Sequence, residues 1–334
     1  MGWRVLSDMT EFRVELETWA LANPFRIAGY TFEAIDVVMV SLRRDGQTGS
    51  GEAAGVYYRA DTPSRMVGAL ERLRARIQGG MTREELQTAL PPGGARNALD
   101  CALWDLEAKL AGRHVWQLAQ VNCPRPLLTT FTCPADAPSA MAEQAGAYRE
   151  ARALKLKLTG EAVDGDRIHA VREARPDVWL AVDANQALTP ASLTRLMPTL
   201  QALRVELLEQ PFALGREADL DGFRSPIPIA ADESVQGIGD LPGLQGRFNV
   251  VNIKLDKCGG LTEGLAMARA ARALGLGVMV GNMMGTSLAM APAFVLGQLC
   301  DVVDLDGPVF LVEDRLPRVR YAEGRISCPQ ELWG

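Results

Sequence analysis

Apolar residues along the chain follow two different periods. Over residues 3–58, Val14, Leu16 and Thr18 alternate with charged residues, and AIDVVMVSL (34–42) is β-branched and apolar. Alternation with period two marks half-buried strands. Glycines between Gly46 and Gly51 punctuate a turn before GEAAG, so the run predicts an antiparallel meander. Residues 62–78 change to a helical period, with Met66, Leu70, Leu73 and Ile77 on one face. A second helix is expected over 95–110, where Ala98, Ala102, Leu106 and Leu110 share a stripe, and a short turn or helix over 115–120. Pro124 and Pro126 then mark a boundary.

Beyond Pro126 short apolar segments alternate with helical ones. They are FTC, LKLKL, VWLAVDA, RVELLE, IPIAADE, VVNIKL, GVMVG and DVVDLD. Eight strand candidates, most with a helix between them, predict βα repeats and a parallel sheet. Six of them close on a polar residue: Lys157, Asp183, Glu209, Asp232, Lys257 and Asp304. From Lys157 to Lys257 the steps are 26, 26, 23 and 25 residues, the length of one strand, one helix and two loops. This spacing predicts a (β/α) barrel with those residues at the carboxyl ends of its strands, the face on which barrels perform catalysis. A lone acid there would be an ordinary helix cap. A ring of them in register is hard to obtain by accident.

Composition narrows the chemistry. Among 334 residues only His114 and His169 are histidines, too few for a His-based metal site, so proton transfer falls to Asp, Glu, Lys or Cys. The net charge of −6, without a long basic tract, argues against nucleic-acid binding. Six cysteines with no CxxC pair read as reduced thiols of a cytoplasmic protein. Residues 273–300 carry no charge over 28 positions, the length of a membrane span, but five glycines and a proline interrupt them; a buried strand, a loop and a buried helix are expected instead. The start of the chain is charged throughout and lacks a signal-peptide core.

Asp183, Glu209 and Asp232 end three consecutive strands, so their carboxylates converge. Three carboxylates repel unless a cation neutralises them, and an all-oxygen donor set selects a hard ion, most simply Mg²⁺. In LKLKL, Lys155 and Lys157 share one face. A lysine close to another ammonium and a metal loses proton affinity and becomes a usable base. Lys257, taken as the end of the sixth strand in NIKLDK, would face Lys157 across the mouth. Two bases around a carboxylate-bound metal suit removal of a proton α to a substrate carboxylate and its return on the opposite face.

Together these residues resemble the enolase superfamily, and within it the muconate-lactonizing-like subgroup. The likeness spans the chain through LKLKL, VDANQ, LLEQP, ADES, NIKLDKCGG and DLDGP, and is strongest to the dipeptide epimerases of the L-Ala-D/L-Glu type. The resemblance implies an α/β fold, a modified TIM barrel of (β/α)7β type over 123–308. An N-terminal α+β capping domain would cover 1–122, completed by 309–334. It implies Lys157 and Lys257 as acid/base catalysts, Asp183, Glu209 and Asp232 as Mg²⁺ ligands, and Lys155, Asn185 and Glu233 as supporting residues. Thr132 matches a position near the substrate. Asp304 and Asp306 would hold the free ammonium of a dipeptide; read alone, they could instead cap the turn before Gly307 and Pro308. A loop, NPFRIAGYTF, would close over the site and read the substrate side chain. Its Arg26 either meets an acidic side chain or anchors the loop. Met283 and Met284 either form an adaptable wall or pack as core. The expected partner is a small dipeptide, with no nucleic acid and no membrane, and a homo-oligomer is compatible. N-acylamino-acid racemisation, o-succinylbenzoate synthesis and muconate cycloisomerisation on the same scaffold are alternatives, as is a non-catalytic dipeptide-binding protein.

Overall fold

The computed structural model describes residues 9–334; the part of the expected meander at residues 3–8 lies outside them. The meander consists of β1 (Glu11–Ile27), β2 (Tyr30–Arg44) and β3 (Gln47–Ala53), antiparallel in that order. β1 and β2 pair from Glu11↔Arg43 to Ala20↔Ala34, slip register, and pair again from Phe25↔Phe32 to Ile27↔Tyr30. The slip falls at Asn23 and Pro24, where proline offers no N–H to the ladder. It tilts the hairpin tip as a separate flap.

The expected glycine turn is shorter than its run of glycines. Asp45 and Gly46 make the turn, and Gly51 lies within β3. Its role is close approach: a Cβ there would stand 2.1 Å from the Ala98 carbonyl oxygen. The strand thereby seats directly on a helix. The segment expected as one helix over 62–78 is two: α1 (Pro63–Arg72) and α2 (Arg74–Gln78), broken at Leu73. The sequence reading missed α3 (Arg83–Ala89), which Thr82 and Glu85 close with a reciprocal capping box. α4 (Gly94–Ala111) and α5 (Val115–Leu118) fall where expected. Val38, Val40 and Leu42 pack against Leu99 and Leu106 of α4 as the module's core.

The barrel segment runs β4 (Leu127–Leu128), β5 (Phe131–Cys133), α6 (Pro138–Ala147), β6 (Ala153–Lys157), α7 (Asp164–Ala174), β7 (Trp179–Asp183), α8 (Pro190–Ala202), β8 (Leu207–Glu209), β9 (Ile229–Ala231), β10 (Val250–Lys254), α9 (Leu255–Cys258), α10 (Leu261–Ala273), β11 (Gly277–Gly281), α11 (Ser287–Gly297) and β12 (Val302–Val303). Strands β5 to β12 form one parallel sheet in sequence order. The Thr130 N–H, just before β5, donates to the Val303 carbonyl at 3.0 Å and joins the two ends. The crossovers after β8 and β9 use 3₁₀ turns in place of full helices. The charge-free run is β11, a loop and α11, and among the described residues no helix is long and apolar enough to cross a membrane.

Strand alternation splits the barrel into layers. Leu154, Leu156, Leu180 and Val182 face the helices and join the main core. Ala181, Leu207, Ala230 and Met279 point inward and fill the lower interior as a small apolar cluster. One inward position beyond Ala181, Leu207 and Ala230 stand Asp183, Glu209 and Asp232, which makes the upper layer the site.

The chain ends with β13 (Arg320–Ala322) and β14 (Arg325–Ser327), which pair with β4 below the barrel. Segments on either side reach the N-terminal module. Arg315 bridges Glu17 at 2.5 Å and the buried Glu52 at 2.8 Å, and Trp333 donates to the Ser50 carbonyl at 2.9 Å. Glu52 in turn accepts from the Thr286 N–H at 2.7 Å at the start of α11, so one carboxylate ties β3, the C-terminal segment and a barrel loop together.

Candidate active site

The three carboxylates converge as expected. Lys157, Asp183 and Glu209 stand in register across β6, β7 and β8, and Asp232 follows β9. One oxygen from each of Asp183, Glu209 and Asp232 lies within 4.8 Å of the others, and all three side chains are buried. Glu209 Oε1 accepts from Asn252 Nδ2 at 2.7 Å, while its buried Oε2 has no hydrogen-bond partner. Burial and then the Asp183 charge push the Glu209 carboxyl well above its ordinary range. A buried lone pair without a donor, in a set of oxygens that repel one another, fits a hard cation.

Asp183 accepts from Lys157 Nζ at 2.5 Å and from the Asn185 N–H at 2.8 Å. Asn185 holds a left-handed backbone (φ 39°), which turns its amide toward Glu233 at 3.4 Å. Lys155 pairs with Asp304 and stands 3.8 Å from Glu209. Burial opposes its charge, but Asp304 and Glu209 outweigh burial and hold the ammonium above its usual value.

The structure corrects the second lysine. β10 ends at Lys254, and Lys257 lies a helical turn further on, in α9. Lys254 shares the inward face of Asn252; its Nζ reaches Asp232 at 2.7 Å and lines the same cavity as Lys157. Gly281 on the neighbouring strand makes room for it, since a Cβ there would stand 3.0 Å from Lys254 Cε. Lys257 has a side chain 1% exposed and donates to Asp232 Oδ1 at 2.5 Å and to the Asn252 carbonyl at 3.0 Å. It borders a separate cleft between the cap and the barrel with Arg59, Asp61 and Arg65. Burial lowers its proton affinity, whereas Lys254, despite burial, is held well above its usual value by Asp232 and Glu209. Parity along NIKLDK carries the signal: a strand continued to 257 would turn that lysine onto the helix-facing side with Val251 and Ile253.

On the opposite wall Asp304 accepts from Thr130 and Lys155, and Asp306 accepts from the Thr132 N–H at 2.7 Å. Burial and then the neighbouring Asp304 push Asp306 up, while Lys155 outweighs burial and holds Asp304 down. Two carboxylates thus face one ammonium, leaving a negative charge over. Thr132, Lys155, Asn185, Met283, Asp304 and Asp306 all border the cavity, which measures about 290 Å³. Glu233 is buried behind Asn185 with Oε2 unpartnered.

Arg26 does not reach the cavity. It lies over the outer face of the flap, about half exposed, 3.9 Å from Asp136. Both histidines stand apart: His114 stacks on Trp116 and His169 is exposed on α7. Sequence reasoning missed Asn252 and the aromatic wall of Phe25, Phe32, Tyr57 and Phe310.

Comparison with known proteins agrees with this geometry. Residues 9–119 match the mandelate racemase / muconate lactonizing enzyme N-terminal domain, and residues 140–331 match the enolase C-terminal domain-like family. The chain is 38% identical over 320 residues to an L-Ala-D/L-Glu epimerase of Escherichia coli, covering 95% of this chain and 99% of that one. It is 43% identical over 255 residues to an N-acetyl-D-glutamate racemase of Pseudoalteromonas, covering 76% and 80%. An enolase family member from Agrobacterium tumefaciens with homology to dipeptide epimerases, solved with sodium and L-Ala-L-Glu, superposes with a TM-score of 0.94 at 39% identity, covering 97% of this chain and all of that one. The chain therefore belongs to the mandelate racemase / muconate lactonizing enzyme family of the enolase superfamily, as an isomerase of its dipeptide epimerase-like branch.

Proposed function

We propose that the protein is a Mg²⁺-dependent dipeptide epimerase that inverts the α-carbon of the C-terminal residue by two-base proton transfer, with Lys157 and Lys254 as the bases. One observation carries this reading. Lys157 and Lys254 end β6 and β10, directly outside the three strands that carry Asp183, Glu209 and Asp232, and both face the same cavity.

Asp183, Glu209 and Asp232 would hold Mg²⁺, which would supply positive charge for the substrate carboxylate and offset the negative charge of the triad. One lysine takes the α-proton onto Nζ while the C–H pair delocalises toward the carboxylate. The lysine across the mouth donates its own proton to the other face of the same carbon. Atoms and charge balance, and the configuration inverts. Lys155, tied to Asp304, keeps a second ammonium beside Lys157 on the same strand face. Asp304 and Asp306, with one negative charge over, suit the free α-ammonium at the other end of a dipeptide. Thr132 steadies Asp306 through its N–H.

Incubation with a dipeptide library and Mg²⁺ in D₂O tests the proposal. A one-unit mass gain together with loss of stereochemical purity is expected, and no exchange across the library refutes it. The identity to an N-acetyl-D-glutamate racemase favours a second reading, racemisation of N-acylated amino acids by the same lysines. Such substrates lack an ammonium and leave the surplus charge at Asp304 and Asp306 unmet. Faster turnover of N-acetylated amino acids than of any dipeptide would establish that reading instead.

A further inference from the structure

We infer that the residue inverted by this enzyme carries an apolar side chain, selected by the flap; this rests on the epimerase reading above. With the substrate carboxylate at the triad and its ammonium at Asp304 and Asp306, the remaining wall is the one facing the cap. Phe25, Ile27, Phe32, Tyr57, Met283 and Phe310 make most of it. The aromatic rings brace one another: Phe25 meets Phe310 edge-on at 4.8 Å, and Phe32 meets Tyr57 at 5.3 Å. They continue into the apolar cluster of Leu21, Ile35, Val37 and Leu311 that holds the hairpin tip to the barrel.

Strand alternation explains why the flap's arginine takes no part. Phe25 and Ile27 point into the cavity, so Arg26 between them points out, toward Asp136. The Arg26 carbonyl also accepts from the Ala135 N–H at 3.2 Å, which holds the strand in that orientation. Among the described residues the cations bordering the cavity are Lys155, Lys157 and Lys254, and each is already paired with a buried carboxylate. An acidic side chain brought here would lose its water and gain no free cation. Asp36, at the exposed edge, would repel it further. That same aspartate, which accepts from the Thr18 hydroxyl at 2.6 Å, is exposed to solvent, so a basic side chain pairing with it would gain little over water. An aliphatic or aromatic side chain gains from burial without these costs.

The test is the full-length enzyme with Mg²⁺ and the series L-Ala-L-Leu, L-Ala-L-Phe, L-Ala-L-Glu and L-Ala-L-Lys, followed by α-proton exchange and chiral analysis. kcat/KM for Leu and Phe should exceed that for Glu and Lys by about tenfold or more. A best substrate with Glu or Lys overturns the inference and leaves the epimerase reading standing. Exchange with none of the four or any other dipeptide overturns both. Phe32→Arg, which puts a cation on the wall, should shift the Glu-to-Leu ratio toward Glu by about tenfold. Arg26→Ala should leave that ratio unchanged. An unmoved ratio in the first variant, or a selective loss of Glu turnover in the second, also overturns it.

Discussion

The barrel mouth and the flap that covers it are built on opposite principles. At the mouth the side chains are ionic, buried and mutually constrained: Lys155, Lys157, Asp183, Glu209, Asp232 and Lys254 stand on strand ends, and each is held by the next. The flap is a register-shifted hairpin whose contacts are apolar and aromatic. Ionic groups need fixed geometry because a misplaced buried charge costs several kcal/mol. An apolar wall tolerates exchange of one side chain for another of similar volume. The mouth is therefore suited to a single chemistry, and the flap to varying its substrate.

The largest effects should fall on the two proposed bases. Lys157→Ala and Lys254→Ala should each lower epimerisation by about 10³-fold or more, and each should keep α-proton exchange with only one epimer. Lys257→Met should lower stability by removing a partner of Asp232, without one-sided exchange. One-sided exchange in Lys257→Met and not in Lys254→Ala would reverse the assignment. Next comes the metal. EDTA should abolish turnover and Mg²⁺ restore it, and Mg²⁺ at a hundred times its Kd should stabilise the fold by about 2.7 kcal/mol in calorimetry. Glu209→Gln should remove most of that stabilisation; an unchanged response would exclude the triad as the metal site. Smaller again, Asp306→Asn should reduce kcat/KM for free dipeptides by roughly 10- to 100-fold, the worth of a charge-assisted pair, and spare N-acetylated analogues. Equal losses would make the residue structural.

The effect that should leave turnover untouched concerns the junction between the two regions. Asp256 in α9 accepts from the Gly55 N–H at 2.9 Å, at the end of β3. Burial raises its carboxyl from 3.8 to about 7. Between those values the native protein binds a proton that the unfolded chain has released, so this group's contribution to stability falls as pH rises from 4 to 7. The slope is at most about 1.4 kcal/mol per pH unit. Melting temperatures measured from pH 5 to 7 should decline less steeply in Asp256→Asn; identical slopes would show that Asp256 does not titrate there.

Much of the barrel was legible because its signals are local. Each of the eight strands is a short apolar run between helical segments, and Asp183, Glu209 and Asp232 close three of them at near-constant spacing. The second lysine was misread because NIKLDK offers two candidates, and spacing alone does not say where a strand ends. The chain leaves β10 at Lys254 and winds into α9, and Lys257 then reaches Asp232 from outside the cavity that Lys254 lines. Arg26 was left open for a related reason. Whether a residue near a hairpin tip points in or out depends on register, and here the register slips between Ala20 and Phe25.

The sequence by itself determined the class of chemistry. A chain with two histidines and an ordered series of strand-end lysines and carboxylates offers lysine as a proton carrier and oxygen as the donor for a hard cation. Residue types at βα spacing suffice for that, since strand periodicity sends alternate residues inward. The tertiary structure alone decided which lysine of NIKLDK lines the cavity, which carboxylate oxygen lacks a partner, and that the flap presents rings where its arginine was a candidate. These depend on strand ends, on register and on contacts between residues far apart in the chain. A shift of one position exchanges the two faces of a strand at almost no cost in local propensity.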